Sequence, residues 1–103
     1  TEGAATTCFA VIDGVLRTAP LSNYLLPSIT RRVLMELIRA ANLRCDERAF
    51  TLMDLRRAQE LFVCGTTTDV QPIVMLDGHP VGDGTVGPVT AQLREALAAR
   101  LYR

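Results

Sequence analysis

Cys8-Phe9-Ala10-Val11-Ile12-Asp13-Gly14-Val15-Leu16-Arg17-Thr18 decides how the rest of the chain is read. Two apolar runs flank an Asp-Gly pair. A two-residue type I′ turn needs positive φ at both central positions, and Asp-Gly tolerates it. The stretch therefore predicts a β-hairpin. Beyond it, residues 19–26 read as a loop broken by Pro20. Ile29, Val33, Leu37, Ile38 and Ala41 then recur at helical spacing. Ser28 is the candidate N-cap of that helix, and Asn42 can end it in a left-handed conformation.

Residues 43–50 are short and charged, a poor strand or an edge. Thr51 with Asp54 makes a capping box, with Asp in place of Glu or Gln, and opens a short helix through about residue 59. Glu60-Leu61-Phe62-Val63-Cys64 reads as a buried strand, and residues 72–76 as a second apolar strand. Asp77-Gly78 is another hairpin turn. Gly82, Gly84 and Gly87 mark a loop. Pro88 suits the first turn of a last helix, with Val89, Leu93, Ala96, Leu97 and Leu101 on one side. The expected fold class is α+β, with mostly antiparallel strands and three helices.

A chain of 103 residues makes one domain with a modest core. Its 49% apolar content is high for that length, so part of the surface is expected to belong against a partner. Eleven basic residues balance eleven acidic ones, with no basic block, which argues against nucleic acid. All eleven basic residues are Arg; the chain has no lysine. Cys8, Cys45 and Cys64 fit neither a disulfide framework nor a metal motif, and suit a reducing cytoplasm. No signal peptide or membrane-length apolar run is present. Thr1 is not an initiator Met, so the start reads as a fragment boundary.

Some residues have chemical potential of their own. A helix opening at Ile29-Thr30 presents free N–H groups and the positive end of its dipole, and Thr30 adds a hydroxyl. Gly65-Thr66-Thr67-Thr68 follows a strand, where amides and hydroxyls can converge on an anion or simply form a polar turn. Leu26 reads as ordinary core and Glu2 as a solvated terminal carboxylate. Arg31 and Arg32 oppose the helix dipole; a solvated face is the expectation, with a holding contact elsewhere as the alternative. His79, the single histidine, reads as a solvated turn residue.

Four motifs occur in order: Glu2-Gly3, Leu-Pro-Ser-Ile-Thr-Arg-Arg at residues 26–32, Cys-Gly-Thr-Thr-Thr-Asp-Val at residues 64–70, and Leu-Asp-Gly at residues 76–78 with Gly-Pro-Val-Thr at residues 87–90. Together they resemble the carboxy-terminal domain of the class IV (fold type IV) pyridoxal-phosphate aminotransferases, a family that includes the branched-chain and D-amino-acid enzymes. The resemblance covers essentially residues 1–103, as a cofactor-binding domain without the amino-terminal domain and its Schiff-base lysine. It departs from the family at Ser28, where Gly is usual, and at Thr7, where Asn is frequent.

The resemblance implies pyridoxal 5′-phosphate as cofactor, with amino acid and 2-oxo acid as substrates. It places Glu2 at the pyridine nitrogen, Ala5 and Leu26 against the cofactor, and Ile29, Thr30 and Thr66 on its phosphate. Thr66 and Thr67 would hold the substrate carboxylate. No catalytic residue and no metal ligand is assigned within the chain. The Thr run leans toward the D-amino-acid branch. A cytoplasmic homodimer is implied for the full-length protein, and no activity for this chain alone. Aminodeoxychorismate lyase, which shares the fold, and a non-catalytic partner-binding domain are the alternatives.

Overall fold

In the computed structural model, which describes residues 7–19, 29–64 and 69–101, Asp13 and Gly14 have φ of 53° and 79°. They join β1 (Thr7–Ile12) to β2 (Val15–Thr18), the hairpin that the Asp-Gly pair predicts. Then come α1 (Ile29–Ala40), β3 (Cys45–Glu47), α2 (Leu52–Arg56) and β4 (Glu60–Cys64). The chain ends with β5 (Val70–Pro72), β6 (Met75–Leu76), β7 (His79–Pro80) and α3 (Pro88–Leu101).

Five strands form one sheet in the order β3-β2-β1-β4-β5, and β6 with β7 forms a separate hairpin. Every pairing is antiparallel except β2 with β3, which α1 connects as a crossover. The fold class is α+β with three helices, as the pattern implies.

The central strand β1 is covered on both faces. On one face Phe9, Val11, Leu16 and Phe62 meet Leu34 and Ile38 of α1 and Leu93 and Leu97 of α3. Phe9 and Phe62, opposite each other in β1 and β4, stack with ring centroids 5.1 Å apart. On the other face Ala10, Ile12 and Leu61 pack with Ala58 and Val81, flanked by Phe50, Leu55 and Leu76.

Local signals hold. Asn42 has φ of 58°; its N–H donates to Arg39 O at 3.0 Å, and Leu43 N–H donates to Ile38 O at 3.1 Å. Those two bonds make a Schellman ending. Thr51 and Asp54 form the reciprocal capping box.

Three expectations change. The apolar run of residues 72–76 is not one strand. Pro72 closes β5, and the chain crosses between sheets: Ile73 N–H donates to Leu61 O and Val74 O accepts from Val81 N–H, both at 2.8 Å. Pro72 fits there because β5 is an edge strand and its missing N–H would face away from β4; the bond to β4 continues at Ile73 before the chain turns to the other hairpin. The short helix stops at Arg56, and Gln59 N–H already donates to Val11 O at 2.7 Å. Finally, α1 is rotated from the expected face: its deepest residues are Thr30, Arg31, Leu34 and Ile38, while Val33 and Leu37 are half-buried and Ala41 is exposed.

Candidate functional site

One end of the sheet gathers the neighbours of three motif segments, residues 2–3, 26–32 and 64–70, while Gly87 and Thr90 lie against Glu60 at the other end of β4 and residues 76–78 belong to the separate hairpin. The register sets Thr7 of β1 opposite Cys64 of β4, and Phe9 opposite Thr18 at the end of β2. Thr18 in turn lies beside Glu47, the last residue of β3. Residues 1–6 lead into Thr7, residues 20–28 leave from Ala19, and residues 65–68 leave from Cys64. Glu2, Ala5, Leu26, Thr66 and Thr67 themselves lie outside the described residues, as does the side chain of Ile29.

The opening of α1 reaches the same end. Ile29 begins the helix, so the main-chain amides of its first turn have no partner within it. The first turn carries no acidic residue. Thr30 is 2% exposed and stands on the buried stripe of the helix.

Arg31 follows, and here the sequence expectation fails. Its side chain is buried, and the residue is 6% exposed. Nη2 donates to Ala19 O at 3.1 Å and to the Glu47 carboxylate at 3.1 Å. The guanidinium also acts on Cys64. Burial pushes that thiol up to about 11, against the opposing pull of Arg31 and with a further push from Cys8. Burial alone pushes the Cys8 thiol up to about 11. Cys45 is raised by burial and by Glu47, with Arg31 again opposing and Asp46 adding to the rise. None of these thiols is ionised near neutrality, which disfavours a nucleophilic role. Arg32 is exposed, as expected, and so is His79.

Sequence reasoning also missed Glu60, which is 7% exposed. It begins β4 and extends its carboxylate to α3, accepting from Val89 N–H at 3.2 Å and Thr90 N–H at 2.7 Å. A charged residue opening an apolar strand was the available signal. Its partner lies far along the chain, so no local pattern names it. Among the described residues no group of His, Cys, Asp and Glu is arranged to hold a metal ion, and no helix is long and apolar enough to cross a membrane.

The comparisons with known proteins return the same fold. Residues 1–76 match the family described as Amino-transferase class IV. The chain belongs to the class IV aminotransferases. It is 44% identical over 97 residues to a D-alanine aminotransferase of Staphylococcus aureus (strain MSSA476), covering 94% of this chain and 34% of that protein. A D-alanine aminotransferase of Listeria monocytogenes (strain 10403S) is 39% identical over 103 residues, all of this chain and 36% of that protein. The crystal structure of an Escherichia coli branched-chain amino acid aminotransferase superposes with a TM-score of 0.85 at 34% identity, covering 92% of this chain and 32% of that one. The branched-chain enzyme of Thermoproteus uzoniensis, solved with norvaline, superposes with a TM-score of 0.82 at 30% identity, covering 90% and 30%. The chain thus spans about a third of the length of the curated relatives it matches.

Proposed function

We propose that this chain is the carboxy-terminal, cofactor-binding domain of a longer aminotransferase. That enzyme moves an amino group between an amino acid and a 2-oxo acid with pyridoxal 5′-phosphate, as a cytoplasmic homodimer. D-alanine is the favoured amino donor, because the curated relatives cited carry that name at up to 44% identity. The observation that carries the reading is the convergence at one sheet end. The ends of β2 and β4, the start of β1 and the opening of α1 meet where a ligand could touch all of them.

The residues present fit a phosphate. A helix N-terminus with no acidic residue of its own in the first turn favours an anion. Buried Thr30 adds a hydroxyl on the inward stripe. In this reading the Ile29 amide, Thr30 and Thr66 hold the phosphate. Glu2 keeps the pyridine nitrogen protonated through a charge-assisted hydrogen bond. Leu26 and Ala5 border the ring, and Thr66 and Thr67 receive the substrate carboxylate. Pyridoxal 5′-phosphate, when bound, supplies an aldehyde that carries the amino group and a ring that withdraws electrons.

The test is Thr30→Val in the full-length protein. Losing one neutral donor should weaken pyridoxal 5′-phosphate binding by about 0.5–1.5 kcal/mol, several-fold in Kd. An unchanged Kd would remove the phosphate from α1. The chain alone, having no lysine, should show no turnover with cofactor and D-alanine.

A further inference from the structure

A cation in a first helical turn opposes the dipole, and burying a guanidinium is costly unless it is fully paired. Arg31 carries both penalties, so its contacts must offset them. One acceptor is Ala19 O, the last described main-chain group before residues 20–28, and Arg31 itself stands just beyond the other end of that segment. The second is Glu47, closing β3 beside Thr18.

The buried arginine on the other face shows what a purely architectural pair looks like. Arg17 is 7% exposed and donates to Ala49 O at 2.7 Å and Asp54 Oδ2 at 3.2 Å, with Phe50 at 5.9 Å from its guanidinium carbon. It has the same chemistry, a carbonyl and a carboxylate. All its partners, however, belong to the approach to α2 and to α2 itself. The partners of Arg31 among the described residues belong to the sheet end described above.

We infer that Arg31 is a positioning residue, which ties Ala19 and Glu47 to the first turn of α1 and so fixes that turn with its donors facing an anion. The inference rests on the phosphate reading of α1. Arg31 acts through the main chain it holds. Both described bonds leave from Nη2, so a lysine ammonium placed there could make them too, which makes Arg31→Lys the rescuing variant.

The test uses the full-length protein, stripped of cofactor and titrated with pyridoxal 5′-phosphate, alongside equilibrium unfolding of each variant. Arg31→Gln should raise Kd about tenfold, with kcat at saturating cofactor kept within about twofold. Arg31→Lys should recover Kd to within about threefold of the parent. Glu47→Gln removes a half-exposed partner that the fold can spare, and should raise Kd about threefold. Arg17→Gln should lower stability and leave Kd unchanged. The inference is overturned if folded Arg31→Gln binds like the parent, or if Arg17→Gln weakens binding equally. Should Arg31→Gln not fold, parent-like binding by Glu47→Gln overturns it instead. Thr30→Val separates the two failures. If it weakens binding while Arg31→Gln and Glu47→Gln do not, only the positioning role falls; if it too is silent, the phosphate reading falls with it.

Discussion

At the first turn of α3 a carboxylate from β4 sits on two main-chain amides; at the first turn of α1 stand two arginines. Both helices pack on the same face of the sheet, and both begin without an acidic residue in their own first turn. Glu60 completes α3 from another element. Gly87 leaves room for it, since a Cβ there would overlap the Glu60 carboxyl group. Pro88, first in the helix, has no N–H to satisfy. The α3 end is thus neutralised by the protein itself, and it serves architecture. At α1 the one carboxylate seen among the described residues, Glu47, pairs with the Arg31 side chain rather than with the first-turn amides, and Arg32 adds an exposed cation. Helix-end amides that no internal carboxylate covers are suited to an external anion.

The largest expected effect lies at α3. Glu60→Ala removes two charge-assisted bonds and empties a buried site, so unfolding in urea should register a loss of about 2–4 kcal/mol. The cofactor Kd of the folded protein should not move, because Glu60 and the amides it holds stand at the opposite end of β4 from Cys64 and the opening of α1. A Kd that rises in step with instability would erase the distinction between the two helix ends.

Gly87→Ala comes next. Its new Cβ must drive the Glu60 side chain off the amides, at about 1–3 kcal/mol. Combined with Glu60→Ala it should cost far less than when made alone, because the clash partner is gone. Additive effects in that double-mutant cycle would show that the two residues do not form a unit.

What could be read from the sequence divides along the same line. Asp13-Gly14, Asn42, the Thr51–Asp54 box and Pro88 depend on backbone chemistry within a few residues, and each does what its residue types require. The opening of α1 at Ile29 was legible for the same reason. The pairing of Glu60 with α3 and the clamp made by Arg31 join residues far apart in sequence, so periodicity could not show them. A solvated face was the natural expectation for Arg31 because its acceptors, Ala19 and Glu47, come from other elements. The split of residues 72–76 was hidden because a continuous apolar run does not show which sheet each residue joins. The roles of Glu2, Ala5, Leu26, Thr66 and Thr67 rest on family resemblance, since no local pattern distinguishes them from a frayed end, a core residue or a polar turn.

A smaller effect should have opposite signs in two assays. Arg32 is exposed at the start of α1, where a carboxylate suits the dipole better than a cation does. Arg32→Glu should stabilise the fold by about 0.3–1 kcal/mol in low salt. The same charge should repel a phosphate and raise the cofactor Kd. If stability and affinity rise together, α1 is finished as α3 is, by an internal anion, and the contrast fails.

The smallest effect uses the thiols to report on that end of α1. Cys8 and Cys64 are both pushed from 9.0 up to about 11, chiefly by burial. A folded-state pKa above the unfolded one means that the native protein holds its proton longer than the unfolded chain. The stability this contributes is complete below about pH 9 and is lost as pH rises through about 11. Alkaline unfolding should therefore begin in that window. Cys64 differs from Cys8 in feeling two charges: the Arg31 guanidinium opposes its rise and Cys8 adds to it. Arg31→Gln should thus move the Cys64 titration further up and leave Cys8 where it is. Thiolate absorbance followed in a Cys45→Ser background, with Cys8→Ser or Cys64→Ser added in turn, resolves the two groups. Equal shifts for both would mean that the substitution loosens the fold as a whole; a shift confined to Cys64 would mean that the charge of Arg31 acts locally, at the end of β4 from which residues 65–68 depart.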